Sequence, residues 1–380
     1  MKSTLHSSLF TLHFLFLLFA VLSCRKDPTV DPPEIEKIPQ QTTGFYLLNE
    51  GVMGRGNATL DYYDVETSLY HRNIYAATNP GVVGRLGDVG NALKIYGGKL
   101  YAVINSSNLV EVMNVVDAKH IAKFEAQNSR YITFHEGKAY VSSYAGPVPT
   151  QFDGEKRLGV VIEFDTVHFK ETRRVTVGYQ PEEMAVVNGK LYVANSGGYT
   201  ATDYDRTVSV IDLATFTEIR KIDVGINLHR LKADAYSDIY VNSRGDHHGQ
   251  GSKLYVIDTQ TDAVKKTIDI SVSNFCIVGD TAYVYGSDFD YETGKTAIAY
   301  SLIDVKTETV LPCSFITDGT DAAIVTPYGI AVVPVSCEVY VSDARNYTIS
   351  GTLYCFDKKG KKKWSVTTGD VPAHIAFVTK

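Results

Sequence analysis

Short apolar runs separated by polar turns recur along the chain from residue 44 to its end. Residues 188–198, NGKLYVANSGG, show the unit: Asn188-Gly189 is a two-residue turn signal, and the Leu191–Val193 run alternates as a half-buried strand does. The same strand returns as GKLYAVIN (98–105), GKAYVSS (137–143), SDIYVNS (237–243), DTAYVYGS (280–287) and CEVYVSD (337–343). GFYLLNEG (44–51) is a further copy without its preceding strand. Each copy is followed by a strand ending in a polar turn, and the turn residues are Asp64, Asn114, Asp165, Asp212, Asp258, Asp304 and Asp357. Their spacings of 50, 51, 47, 46, 46 and 53 residues each match one four-stranded sheet, with no helix-period segment of useful length between them.

Seven such units predict an all-β chain, a seven-bladed β-propeller of four-stranded antiparallel blades. The ends agree. The N-terminal unit lacks its innermost strand, and PAHIAFV (372–378), which matches PEEMAVV (181–187), is a surplus one. Pairing the C-terminal strand with GFYLLNEG closes the ring and removes exposed sheet edges. An open stack of sheets or two sandwiches would leave the missing and extra strands unexplained.

The turns between first and second strands are terse (YGGK, VNGK, VGDT), whereas the loops on the opposite face are long and unlike one another. A regular scaffold with one irregular face carries its specificity there. Second-to-third-strand loops bring Asn49, Glu50, Asn105, Tyr144, Asn195 and Tyr199 to that mouth, then Asn242, Arg244, Asp246, His247 and His248, and finally Asp288, Phe289, Arg345 and Tyr347. Blade-to-blade loops add Arg85, Asp88, Arg130, Gln180, His229 and Arg230. Amides, guanidinium groups and aromatic rings together suit a rigid ligand with polar edges, bound by many adaptable hydrogen bonds and flat contacts. Taken singly, most of these residues equally suit loop capping. The expectation concerns the face.

Reactive chemistry is sparse. Asp246-His247-His248 holds adjacent imidazoles, but spacing supplies no further metal ligands, so no metal site is expected. DFDYETG (288–294) alternates oxygens like a calcium loop, yet its glycine is a position late and the closing glutamate is missing. No nucleophile elbow or Walker-type loop appears, so no catalytic residues are assigned and the chain is not expected to be an enzyme. The 25 tyrosines fall mostly in strands, where cross-strand aromatic pairing accounts for them, and Trp364 is the only tryptophan. The net charge of −6 argues against nucleic acid as a partner. Cys276, Cys313, Cys337 and Cys355 form no CxxC pair, and buried free thiols are expected rather than disulfides.

The N-terminus adds an address. Lys2, the apolar run LFTLHFLFLLFAVL and VLSC read as a lipoprotein signal peptide over 1–23, with Cys24 as lipid attachment site. RKDPTVDPPEIEKIPQQTT is rich in proline and poor in apolar residues, so 24–43 is read as a lipidated cysteine plus flexible tether and 44–380 as the propeller. Several acyl chains on one cysteine hold a protein stably to a membrane.

The stretches VSVIDLATFTEIRKIDVG, VGYQPEEMAVVNGKLYVANSGGY and DGTDAAIVTPYGIAV resemble the YncE-like propellers. With RLGDVGNALKIYGGKLYAVIN, INLHRLKAD and GTLYCFDKKGKKKWSV, the whole propeller is similar to a surface-lipoprotein branch of that group, the BtuG type of Gram-negative gut bacteria. The resemblance implies a monomeric, cell-surface, outer-membrane lipoprotein that captures cobalamin or related corrinoids, with no cofactor of its own. It also implies delivery to a TonB-dependent transporter. A corrinoid is a disc fringed with amides and bearing one phosphate; Asn, Gln and Arg loops suit the amides, an Arg the phosphate, and Tyr or Phe the flat faces. The competing readings are a module for a glycan or protein, and a lyase or hydrolase using His229, His247 or His248.

Overall fold

The structure is a computed structural model that describes residues 41–82, 85–146, 157–198, 203–246, 249–290 and 294–380. The expected signal peptide and Cys24 lie outside the described residues, as do Tyr199, His247 and His248. The described strands form seven four-stranded antiparallel sheets. From the axis outward, the first sheet is Pro372–Thr379, Thr42–Asn49, Thr59–Asp64 and Leu69–His71. The C-terminal strand therefore closes the ring, with Phe45 opposite Phe377 and Leu47 opposite Ile375. Pairing begins at Thr42, opposite Thr379, so the sheet reaches into the segment expected to be tether. The innermost strands of blades two to seven are Gly90–Tyr96, Ser129–His135, Pro181–Val187, Leu228–Ala233, Asn274–Val278 and Pro327–Val332.

The core is divided among the gaps between blades. Each neighbouring pair encloses its own apolar cluster, including that between the last blade and the first. This explains one departure from the sequence reading. Leu191, Tyr192 and Val193 are all fully buried rather than alternately buried, because both faces of a blade pack against neighbours. Alternation survives on outermost strands such as Thr217–Asp223, whose side chains are mostly in water.

The second-strand tyrosine also ties blades together. Tyr46 Oη donates to the Val115 carbonyl at 3.0 Å, Tyr192 Oη to Asp262 Oδ1 at 2.6 Å, and Tyr240 Oη to the Val305 carbonyl at 3.0 Å, each in the next blade. The turn residues used to count the units have a shared role. Asp64, Asp212 and Asp304 each accept the amide three residues on, at 2.8–2.9 Å, and Asn114 accepts that of Val116 at 2.8 Å. A short side chain that satisfies the turn's own backbone is the reason Asp and Asn recur there.

Two other expectations change. The blade-six loop is mostly strand: Thr281–Asp290 pairs with Lys295–Asp304 as far as Asp290 opposite Lys295, so a two-stranded arm projects from the mouth. The four described thiols are free, but only Cys355 is fully buried; Cys313 lies exposed after the short strand Thr309–Leu311. Burial pushes the Cys355 thiol up to about 12, which leaves it unreactive. Among the described residues, no helix is long and apolar enough to cross a membrane.

The closing seam offers a direct test. Phe45 is wholly buried, with its ring 4.9 Å from that of Tyr340 and 5.2 Å from that of Tyr63. Phe45→Ala is expected to cost about 3–5 kcal/mol in urea unfolding. A loss under about 1 kcal/mol would mean that the seam relaxes around the cavity.

Candidate functional site

The innermost strands do not run regularly to the mouth. Pairing shifts register between Ser129 and Ile132, Pro181 and Met184, Leu228 and Leu231, and Pro327 and Ile330. Each shift is a bulge that re-aims two consecutive residues: Arg130-Tyr131, Glu182-Glu183, His229-Arg230 and Tyr328-Gly329. The amides freed from the ladder find side chains on the second strand. Tyr131 N donates to Ser142 Oγ (3.0 Å), Arg230 N to Asn242 Oδ1 (2.7 Å) and Gly329 N to Ser342 Oγ (2.7 Å). Repeated bulges thus build a polar funnel on the axis of an apolar ring.

On one side, Glu182 gathers its neighbours. Arg130 Nε donates to it at 3.1 Å, Tyr144 Oη at 2.6 Å, and Arg244 Nη2 lies 3.6 Å away. Arg130 Nη1 also donates to Asn91 Oδ1 (2.7 Å), and Arg244 holds Asn227 Oδ1. Opposite, Tyr328 Oη donates to Glu50 Oε2 at 2.8 Å, while His374 Nε2 lies 3.3 Å from Glu50 Oε1. Between them Tyr131 Oη is 2.9 Å from His229 Nε2, and the Arg230 guanidinium lies over the Tyr131 ring at 5.2 Å. Deeper, Lys232 and the Leu231 amide bond Glu183.

Burial and positive neighbours set the protonation states. Burial, reinforced by Arg244, Arg230 and Arg130, holds His229 neutral, well below the usual imidazole range. Burial alone would raise Glu183, but Lys232, Arg230 and Lys94 outweigh it and hold the carboxyl down to about 2. Lys94 is pressed down to about 8 by Lys232 and by its setting deep in the axial channel, although water reaches it. Burial raises the Tyr131 hydroxyl far above neutrality, so it stays protonated.

Beside this network opens a cavity of about 730 Å³, whose walls include His229, Arg230, Arg244, Tyr285, Tyr328 and Tyr347. The blade-six arm supplies Ser287, Asp288 and the half-exposed Phe289 as its outer wall.

The structure thus brings Glu50, Arg130, Tyr144, His229, Arg230 and Arg244 into the funnel, and Asp288, Phe289 and Tyr347 to its rim. Other expected mouth residues are internal ties. Asn49 and Asn195 are fully buried: Asn49 Nδ2 donates to Thr59 Oγ1 and Asp61, and Asn195 Nδ2 to the hydroxyls of Thr207 and Ser209. Asn105 bonds Asn128 and the Ser129 carbonyl, and Asn242 supports the bulge at Arg230. The Gln180 carbonyl takes the Ser196 amide; Asp88 takes Gly54 N, Asp246 takes Gln250 N, and Arg345 pairs with Asp343 at 3.3 Å. Arg85 is exposed. Missing from the sequence reading were Asn91, Lys94, Tyr131, Glu182, Glu183, Lys232, Tyr285, Tyr328 and His374. The available signal was two consecutive polar residues opening an otherwise apolar strand, as in SRYITF and PEEMAV.

Fold and site together define a seven-bladed β-propeller with a polar axial funnel. The chain belongs to the family described as Domain of unknown function (DUF5074), whose match spans residues 43–377. No curated protein matches it. Among solved structures it is similar to a hypothetical selenium-binding protein from Sulfolobus tokodaii, with TM-score 0.65 and 11% identity over 90% of this chain and 94% of that one. A quinonprotein alcohol dehydrogenase-like protein from Bacteroides thetaiotaomicron gives 0.59 and 16%, over 89% and 79%. AztD from Citrobacter koseri gives 0.51 and 14%, over 90% and 99%. At these identities the likeness is one of fold.

Two outcomes follow from the funnel's construction. Ser342 Oγ accepts from Gly329 N and donates to the Pro372 carbonyl at 2.5 Å, so Ser342→Ala strands two buried backbone groups. The expected loss is about 1–3 kcal/mol in chemical denaturation. His229 is kept neutral when folded, whereas the unfolded chain takes up a proton below about pH 6.5. Stability should therefore fall as pH drops from 7 to 5, and His229→Gln should flatten that slope; an unchanged slope would show that His229 is not responsible.

Proposed function

We infer that the chain is a ligand-binding propeller that captures cobalamin or related corrinoids at the cell surface and passes them to a TonB-dependent outer-membrane transporter. The observation that carries this reading is the cavity beside the funnel, whose wall Arg230 shares with Tyr285, Tyr328, Tyr347 and Phe289. Flat aromatic surfaces, amide and carbonyl groups and fixed cations together match a rigid disc bearing amides and one phosphate. The sequence resemblance supplies the ligand class. The Cys24 anchor and outer-membrane placement belong to the same proposal.

A second reading has its own observation. Tyr131 and His229 are bonded, and burial drives their proton affinities apart, as in acid–base pairs of lyases. Capture is favoured because the imidazole Nε2 is already engaged by Tyr131 and Nδ1 is buried.

Calorimetric titration of the purified protein with cyanocobalamin should give saturable one-to-one binding, with the ligand recovered unchanged. Absence of heat across the micromolar range would overturn the corrinoid reading, and recovery of an altered ligand would favour the enzyme.

A further inference from the structure

The funnel's cations are not equivalent. Arg130 and Arg244 reach Glu182, and Lys232 reaches Glu183. Arg230 reaches no acceptor among the described residues. It is only 7% exposed, and among the described residues its Nε makes no hydrogen bond and its guanidinium no ion pair. Glu183, the nearby carboxylate, is already engaged by Lys232 and by the Leu231 amide. Taking a charge out of water without a partner is among the more costly arrangements a fold can contain. The Tyr131 ring offsets part of that cost and fixes the plane of the fork, while the Arg230 amide is pinned by Asn242. The fork is therefore oriented, desolvated and unmatched, at a wall of the cavity.

We propose that Arg230 anchors an oxyanion subsite at the wall of this cavity, where the phosphate or carboxylate group of the ligand is held by its guanidinium fork. Lys232, two residues on along the same inner strand, and Lys94, on the inner strand of blade two, add positive charge. Lys94 likewise makes no ion pair among the described residues, and both lysines lie within electrostatic reach of Glu183 and each other. Around the axis Arg130, Arg230, Arg244, Lys94 and Lys232 face the carboxylates of Glu50, Glu182 and Glu183. The imbalance is positive, in a chain whose net charge is −6. A planar fork pairs bidentately with either oxyanion, which an ammonium cannot do. The subsite rests on reading the funnel as a ligand site, and it is independent of the corrinoid.

The test uses inorganic phosphate and, separately, acetate, titrated into the purified protein in chloride buffer and followed by calorimetry and thermal melting. Saturable binding of one of them is expected, and which one binds identifies the group. R230Q should weaken that binding by at least about tenfold. R230K, which keeps the charge but not the fork, should fall between. Without anion, R230Q should melt no lower than the wild type, because it removes an unpaired buried charge. The proposal is overturned if neither anion binds, if R230Q binds as the wild type does, or if R230Q melts lower while R230K binds normally. Cyanocobalamin titrated in parallel separates the two readings. Phosphate binding without cobalamin binding retires the corrinoid and keeps the subsite. Cobalamin binding that R230Q leaves intact, with no anion binding, does the reverse.

Discussion

Everything in this molecule depends on blades packing face to face around a closed circle. No blade has a core of its own: the apolar clusters lie between blades, and the last of them joins Phe45 and Leu47 to Tyr340, Leu353 and Cys355 across the seam. A sheet so placed must be apolar on both faces, which is why second strands read as continuous burial and only outermost strands alternate. At Tyr46, Tyr192 and Tyr240 the recurring tyrosine serves the same end, since its ring fills the gap and its hydroxyl reaches the next blade's turn. Closure makes these gaps interdependent. A strand shared between the two ends of the chain holds the ring against opening at any one interface.

That rigid circle tolerates a costly interior. Bulges at the mouth end of the inner strands give up ladder hydrogen bonds, and Ser142, Asn242 and Ser342 replace them. In exchange, each bulge re-aims two successive residues, which a regular strand cannot do. Glu182, His229, Arg230 and Tyr328 all reach the funnel in this way. Buried, partly unsatisfied charge is carried where the surrounding packing over-determines its position.

The ring was legible because its signals are local and repeated. The Asp and Asn turn residues answer to the geometry of one turn, and the missing and surplus end strands answer to one seam. The funnel was legible only in part. Arg130, His229 and Arg230 stood beside loops and were found, whereas Glu182, Tyr328 and His374 lie inside strands that read as ordinary inner strands. A bulge leaves no mark except a broken alternation, which a short strand shows weakly. Asn49 and Asn195 misled for a related reason. An amide at the end of a second strand looks like a loop residue, yet the third strand runs close enough to bury it against Thr59 or Thr207. The blade-six arm reads as a loop because Gly, Ser, Asp, Glu and Thr outnumber its two aromatic residues over 286–294. Backbone pairing alone extends it to Asp290.

The electrostatic design reaches beyond the contacts. A chain of net charge −6 with cations collected on its axis has an acidic exterior around a positive well. Low-dielectric walls focus such a field along the opening, so an anionic group entering the mouth is drawn inward over the last part of its path. Its neutral body meets rings and amides first, and its charge travels deepest. His229 is neutral, so the positive charge around it comes from the arginines, Arg230 among them. Burial beside three arginines therefore keeps the imidazole from adding a further charge next to Arg230.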